Sequence, residues 1–195
     1  MTYTSPTLVI AGSLRPTRIS PKIAAWIAAL GEEATHALFE TLDLADWPLP
    51  MDDEPGMPQS GHYTQDHTRA WSAKIAAAPG FVFVMPQYNG GYPAPLKNAI
   101  DHLYREWAGK PALIVTYGGH GGGRGGEQLA QVCSFVKMKP LETRPALTLP
   151  RERIEANDGQ IDPAVAFASQ RDEIGTALAE YAAVLATDDA AVISR

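Results

Sequence analysis

Along the chain, short runs in which every position is apolar alternate with stretches whose apolar residues recur at helical spacing. Thr7 to Ala11 is an unbroken, β-branched run ending at Gly12, the pattern of a strand covered on both faces. From Pro21 the spacing changes, with Ile23, Trp26, Ile27 and Leu30 on one helical face and Pro21 in the first turn, where its missing N–H costs nothing. The alternation continues with Leu38 to Leu44 as a weaker strand, Asp66 to Ala78 as a helix around Trp71 and Ile75, and Phe81 to Met85 as a second fully apolar strand. Pro93 to Trp107 reads as a helix, Ala112 to Tyr117 as a strand and Arg124 to Val136 as a helix. Ala146 to Leu149 closes the sheet, and Pro163 to Leu185 forms a long Ala-rich helix.

Five apolar strands separated by helices predict an α/β fold. Right-handed crossovers place helices above and below a parallel sheet, giving a doubly wound three-layer α/β/α sandwich. The 195 residues suit a single domain over 1–195, with no internal repeat. The exception to the regular pattern is Asp46 to Gly61, rich in proline and acids, a loop long enough to expect a functional or mobile role.

Charge and cysteine usage narrow the function. Sixteen Lys and Arg against 22 Asp and Glu leave a net charge of −6, so no basic face is available for nucleic acid. The N-terminal residues lack a basic region followed by an apolar stretch, and no window approaches the roughly 18 apolar residues of a spanning helix. A cytoplasmic protein without membrane partners is expected. The single cysteine, Cys133, lies among Leu129, Val132 and Val136 and reads as a buried thiol, with no CxxC or Cys/His cluster at metal-ligand spacing. His36, His62, His67 and His102 have no partner at a metal or triad spacing and read as structural or surface residues, so no metal site is expected.

In a doubly wound sheet ligands bind beyond the carboxyl ends of the strands, so the loops after the apolar runs carry the chemistry. After the first strand comes GSLRPTRIS, whose hydroxyls, two guanidinium groups and helix N-terminus suit a phosphate dianion; a plain turn with Ser20 as N-cap is the alternative. After the third comes PQYNGGYPAPLKNAID, where Asn-Gly-Gly brings bare backbone to a ligand and Tyr88 offers a planar wall; an ordinary proline-flanked turn is the alternative. Lys97 and Asp101 are spaced as a surface ion pair on the following helix. After the fourth, seven glycines fall within the nine residues from Gly118 to Gly126. Residues 121 to 126 satisfy GxGxxG, but so late in the sheet the match is no dinucleotide fingerprint. No Walker loop or GxSxG elbow is present, so neither nucleotide triphosphate binding nor covalent hydrolysis is indicated.

Taken together, GSLRPTRIS, PQYNGGYPAPLKNAIDHLYREW and KPALIVTYGGHGGGRGGEQL resemble the NADPH-dependent FMN reductase family of flavodoxin-like proteins, most closely its quinone reductase and azoreductase branch. The resemblance spans roughly residues 7 to 186. It implies a flavodoxin-like five-stranded parallel sheet of order 2-1-3-4-5. It implies an FMN site in which Ser13, Arg15, Arg18 and Ser20 hold the phosphate, while Pro86, Gln87, Tyr88, Asn89 and Gly90 line the isoalloxazine and ribityl. Tyr117, Gly118 and Gly119 would close the other side. Many relatives carry Glu where this chain has Gln87, which removes a charge near the ring; His120 occurs in the close branch without an assigned role.

The implied activity is hydride transfer from NADPH or NADH through FMN to a small-molecule acceptor such as a quinone, in a ping-pong cycle with no catalytic side chain. A flavin reductase using FMN as a dissociable substrate, and a flavin-binding electron carrier or redox-responsive interaction protein, are the alternatives. The resemblance also implies a homodimer or homotetramer built on the helix after PQYN and the Asp46 to Gly61 loop. The stripe Leu96, Ile100, Leu103, Tyr104 and Trp107 would then face a second copy, or else the sheet.

Overall fold

The computed structural model describes residues 5–193, with side chains described through 187. Four long or medium parallel strands form the sheet: β1 (Thr7–Ala11), β2 (Phe39–Asp43), β3 (Phe81–Pro86) and β4 (Pro111–Gly118), followed by the short β5 (Lys139–Pro140) and β6 (Ala146–Thr148). The order is β2-β1-β3-β4-β5, with β6 also on β4, and every pairing is parallel. The flavodoxin-like order 2-1-3-4-5 is therefore present. The chain leaves β1 toward β2 and returns to β3 on its other side, so the topological switch point lies between β1 and β3.

Strand parity decides which layer each apolar residue supplies. Leu8, Ile10, Phe81, Phe83, Met85, Ala112 and Ile114 face one side, where α2 (Asp66–Ala77), α3 (Ala94–Asp101) and α4 (Gly123–Phe135) bring Trp71, Ile75, Leu96, Ile100, Leu129 and Cys133. Val9, Ala11, Val82, Val84, Leu113 and Val115 face the other, packed by α1 (Ser20–Thr35) and a C-terminal helix through Ile23, Ile27, Ile174, Leu178 and Tyr181. That is why the strands read as apolar at every position: each has two covered faces.

Four departures from the expected pattern have local causes. The final strand is divided. Leu141 N–H bonds the Ala112 carbonyl at 2.9 Å and Thr116 N–H bonds the Pro145 carbonyl at 2.9 Å, so the residues between bulge off the β4 edge and leave two fragments. The helix expected over 93–107 ends at Asp101, where the buried Trp71 indole N–H donates to the Ala99 carbonyl (2.8 Å) and the Trp107 indole to the Ile100 carbonyl (3.1 Å). Two indoles thus satisfy carbonyls that another turn would have used. Its apolar stripe faces the sheet: Leu96, Ile100, Leu103 and Trp107 are buried and Tyr104 packs against them, so the stripe is not available to a second copy.

The C-terminal helix is also broken, into α6 (Pro163–Ala166), a 3-10 turn over Ala168–Gln170 and α7 (Arg171–Ile193). The break seats Phe167, fully buried and stacked on Trp26 at 6.1 Å, and lets Gln170 bond the β6 backbone through both Ala146 and Thr148. Finally, α5 (Arg151–Ala156) has no counterpart in the periodicity, because none of its residues is buried.

Candidate functional site

Beyond the carboxyl ends of β1, β3 and β4 lies a cleft of about 260 Å³. Eight residues singled out from the sequence line it: Arg15, Arg18, Pro86, Gln87, Tyr88, Tyr117, Gly118 and Gly119. They come from three loops separated by some tens of residues, and only the parallel topology brings them to one edge.

The loop after β1 contributes charge. Ser13 is fully buried and shares a 2.7 Å hydrogen bond with the Tyr88 hydroxyl, while the Arg15 guanidinium stacks over the Tyr88 ring at 3.6 Å. Tyr88 is thereby fixed at both ends, and the first and third loops are joined across the switch point. Arg18 is oriented by a 2.7 Å ion pair from Nη2 to Asp43 at the end of β2. Its Nε is buried without a hydrogen-bond partner, and the fully buried Ser20 hydroxyl neighbours the Tyr117 phenol. Ser20 is the first residue of α1 and not its cap; Ile19 holds the cap position and makes no side-chain cap bond. An unsatisfied guanidinium donor on Arg18, with Arg15 lining the same cleft near the start of α1, is what an anionic group would complete.

The loop after β3 contributes a wall and a hinge of backbone. Gln87 Oε1 accepts from the Gly125 N–H at 3.1 Å, tying this loop to the start of α4. Asn89 and Gly90 lie at the tip of the turn with φ of 51° and 83°, closed by paired Tyr88–Gly91 hydrogen bonds, and do not line the cleft. Ser13 and Ser20 are likewise underneath it, so four of the twelve singled-out residues stand outside the lining.

The loop after β4 is shaped by what a side chain would strike. A Cβ at Gly121, whose φ is +74°, would lie 2.6 Å from the Ala146 carbonyl oxygen, whereas one at Gly118 would meet nothing within 4 Å. The first glycine is required by the fold; the second leaves space in the cleft. Thr116 Oγ1 donates to the Gly121 carbonyl at 2.7 Å and holds the loop down. Burial pushes the Tyr117 phenol well above its ordinary pKa, so it stays protonated. His120 is exposed and does not line the cleft.

Sequence reasoning missed the far wall, made by Arg153, Ile154 and the 157–160 turn after α5. That segment is held to the first loop by Thr17 Oγ1 to Asn157 (3.0 Å) and to α1 by Lys22 Nζ to Gly159 and Gln160 (2.9 and 2.7 Å). An Asn-Asp-Gly turn was the one available signal, and it carries no functional implication by itself. Cys133 is fully buried, and desolvation pushes its thiol up to about 12, so it is no nucleophile at neutral pH.

Known proteins share both the sequence and the fold. Residues 6–148 match the family model described as NADPH-dependent FMN reductase. An NAD(P)H-dependent FMN reductase of Schizosaccharomyces pombe is 56% identical over 176 residues, covering 89% of this chain and 87% of the relative. An NADPH:quinone oxidoreductase of Arabidopsis thaliana is 33% identical over 162 residues, covering 78% and 80%. Among solved structures, the NAD(P)H:acceptor oxidoreductase FerB of Paracoccus denitrificans superposes with a TM-score of 0.71 over 94% of this chain and 98% of its own, at 20% identity, a likeness of fold.

Proposed function

The chain belongs to the NADPH-dependent FMN reductase family, and from that premise we propose that the cleft beyond β1, β3 and β4 holds FMN for the reduction of a quinone or similar small acceptor. Membership makes the chain an FMN-dependent NAD(P)H oxidoreductase. The observation that carries the placement is the buried, unpartnered Nε of Arg18, which lines the cleft together with Arg15.

In this reading Arg15 and Arg18 bind the phosphate, Arg18 already aimed by Asp43. Tyr88, locked by Ser13 and Arg15, walls the ring, and Pro86 and Gln87 present the edge of β3 to it. Gly118 and Gly119 let the β4 backbone approach, and protonated Tyr117 keeps an uncharged floor. FMN bound there would supply the redox chemistry between NAD(P)H and the acceptor. The protein's residues bind, orient and exclude water; none needs to move a proton. We assign donor and acceptor to the same open part of the cleft in turn, a ping-pong order. Gel filtration of the FMN-loaded chain tests the placement: flavin coeluting with wild type, and lost from Arg15→Ala, supports it. Flavin equally retained by both removes it, and flavin stripped from wild type despite turnover favours FMN as a dissociable substrate.

We further propose a single FMN-binding domain that assembles as a homodimer or homotetramer. With the α3 stripe buried, the support shifts to Met57 and Phe135, 76% and 74% exposed on one groove of about 510 Å³. Light scattering that gives a monomer would remove that assembly. No described helix is long and apolar enough to cross a membrane.

A further inference from the structure

On the α3 side of the sheet, the irregular loop and two helices bring Asp53, His67 and His102 together, with one ligand atom of each within 4.8 Å of the others. Asp53 comes from the loop, His67 from the first turn of α2 and His102 from the residue after α3. Their sequence separations follow no metal motif, which is why the histidines read singly as structural.

The arrangement is built. His67 Nε2 lies 3.0 Å and 3.2 Å from the two carboxylate oxygens of Asp53. His102 is 94% buried, being 6% exposed, and its Nε2 has no hydrogen-bond partner. The Pro50 backbone also acts on the His102 ring. A buried imidazole nitrogen with no protein partner, aimed at a carboxylate and a second imidazole, is available to ligate a metal ion. The two imidazoles meet edge to face with ring centroids 5.8 Å apart.

The loop is clamped so as to present Asp53. Glu54 accepts from the Thr64 N–H (2.9 Å), Thr64 Oγ1 (2.9 Å) and Gln65 N–H (3.0 Å), and Gln65 Nε2 donates to the Asp53 carbonyl (3.2 Å). The middle of the loop is thus tied to the residues just before α2, beside His67. The bordering groove, about 270 Å³, is lined by Asp52, Asn98 and Asp101 as well, leaving room for water as a further ligand in negative surroundings.

We propose that Asp53, His67 and His102 form a site for a borderline divalent cation of the Zn²⁺ class, straps the loop to α2 and α3, and lies outside the FMN cleft. Two imidazoles and a carboxylate suit such an ion, with one position left to water. Tetrahedral coordination places ligand atoms about 3.3 Å apart, so closure of a 4.8 Å spread takes a side-chain adjustment of order 1 Å.

The test is calorimetric titration of the chelator-treated, FMN-loaded full chain with Zn²⁺ alone, and Co²⁺ titration followed by visible absorbance. One equivalent is expected, with a rise in thermal midpoint on adding Zn²⁺. Asp53→Asn and His67→Gln, both at partly exposed positions, should each lower affinity at least 10-fold, as should His102→Gln if circular dichroism shows it folded. His62→Gln, exposed and outside the cluster, should bind as wild type. Absence of saturable binding, or stoichiometric binding that survives Asp53→Asn and His67→Gln, would overturn the site.

Discussion

The loops that follow β1 and β4 border the same cleft but are made of opposite materials. The first works through side chains: Arg15 stacked on Tyr88, Arg18 held by Asp43, Ser13 locked to the Tyr88 hydroxyl. The second works through the lack of them, and its glycines are not equivalent, since Gly121 lies against the Ala146 backbone while Gly118 faces open space. A cluster of arginines announces a charge to be bound; a run of glycines announces only closeness, and closeness to protein and to ligand look identical until the fold is known.

The sharpest way to break this comparison is to place a side chain at each kind of glycine. Gly121→Val should destabilise the fold by about 3 kcal/mol in urea denaturation, combining a left-handed backbone with overpacking against Ala146. Gly118→Ala, by contrast, should leave stability within about 0.5 kcal/mol and weaken FMN binding instead. Equal destabilisation by both would show that the second loop has one function and not two.

Arg15→Ala tests the first loop. Losing a charge-assisted contact worth about 1.5–3 kcal/mol should raise the FMN dissociation constant about 10- to 100-fold, measured by flavin fluorescence, with little change in stability. Tyr88→Phe keeps the ring under Arg15 but leaves the buried Ser13 hydroxyl only the long 3.4 Å bond from the Arg15 N–H, for an expected loss of about 1–2 kcal/mol in the same denaturation assay.

Much of this was legible beforehand, for identifiable reasons. Strands buried on both faces write themselves as unbroken apolar runs, so β1, β3 and β4 stand out, and the loops at their ends follow from topology. α5 and the 157–160 turn leave only an Asn-Asp-Gly turn signal, because they bury no apolar face and act by lying across the cleft. The early end of α3 depends on Trp71, distant in sequence, reaching the Ala99 carbonyl. Asp53, His67 and His102 share no periodicity at all; their meeting depends on the clamp formed by Glu54.

That clamp gives the smallest expected effect. Partial burial pushes the Glu54 carboxyl up, but the hydrogen bonds from Thr64 and Gln65 outweigh it and hold it at about 2. A carboxylate depressed on folding stabilises above its ordinary pKa, and that contribution is lost as pH falls from the mid-4s toward 2. Hydrogen exchange of the 46–65 loop should therefore quicken across that window in wild type beyond the intrinsic pH effect, and much less in Glu54→Gln.

The most direct measurement is spectral: the purified chain is mixed with FMN, passed through a desalting column, reduced anaerobically with NADPH and then given benzoquinone. One flavin per chain, bleached by NADPH and restored by quinone, is the predicted result. A chain that takes up no FMN, or whose bound flavin NADPH leaves unbleached, would contradict the assignment of the cleft.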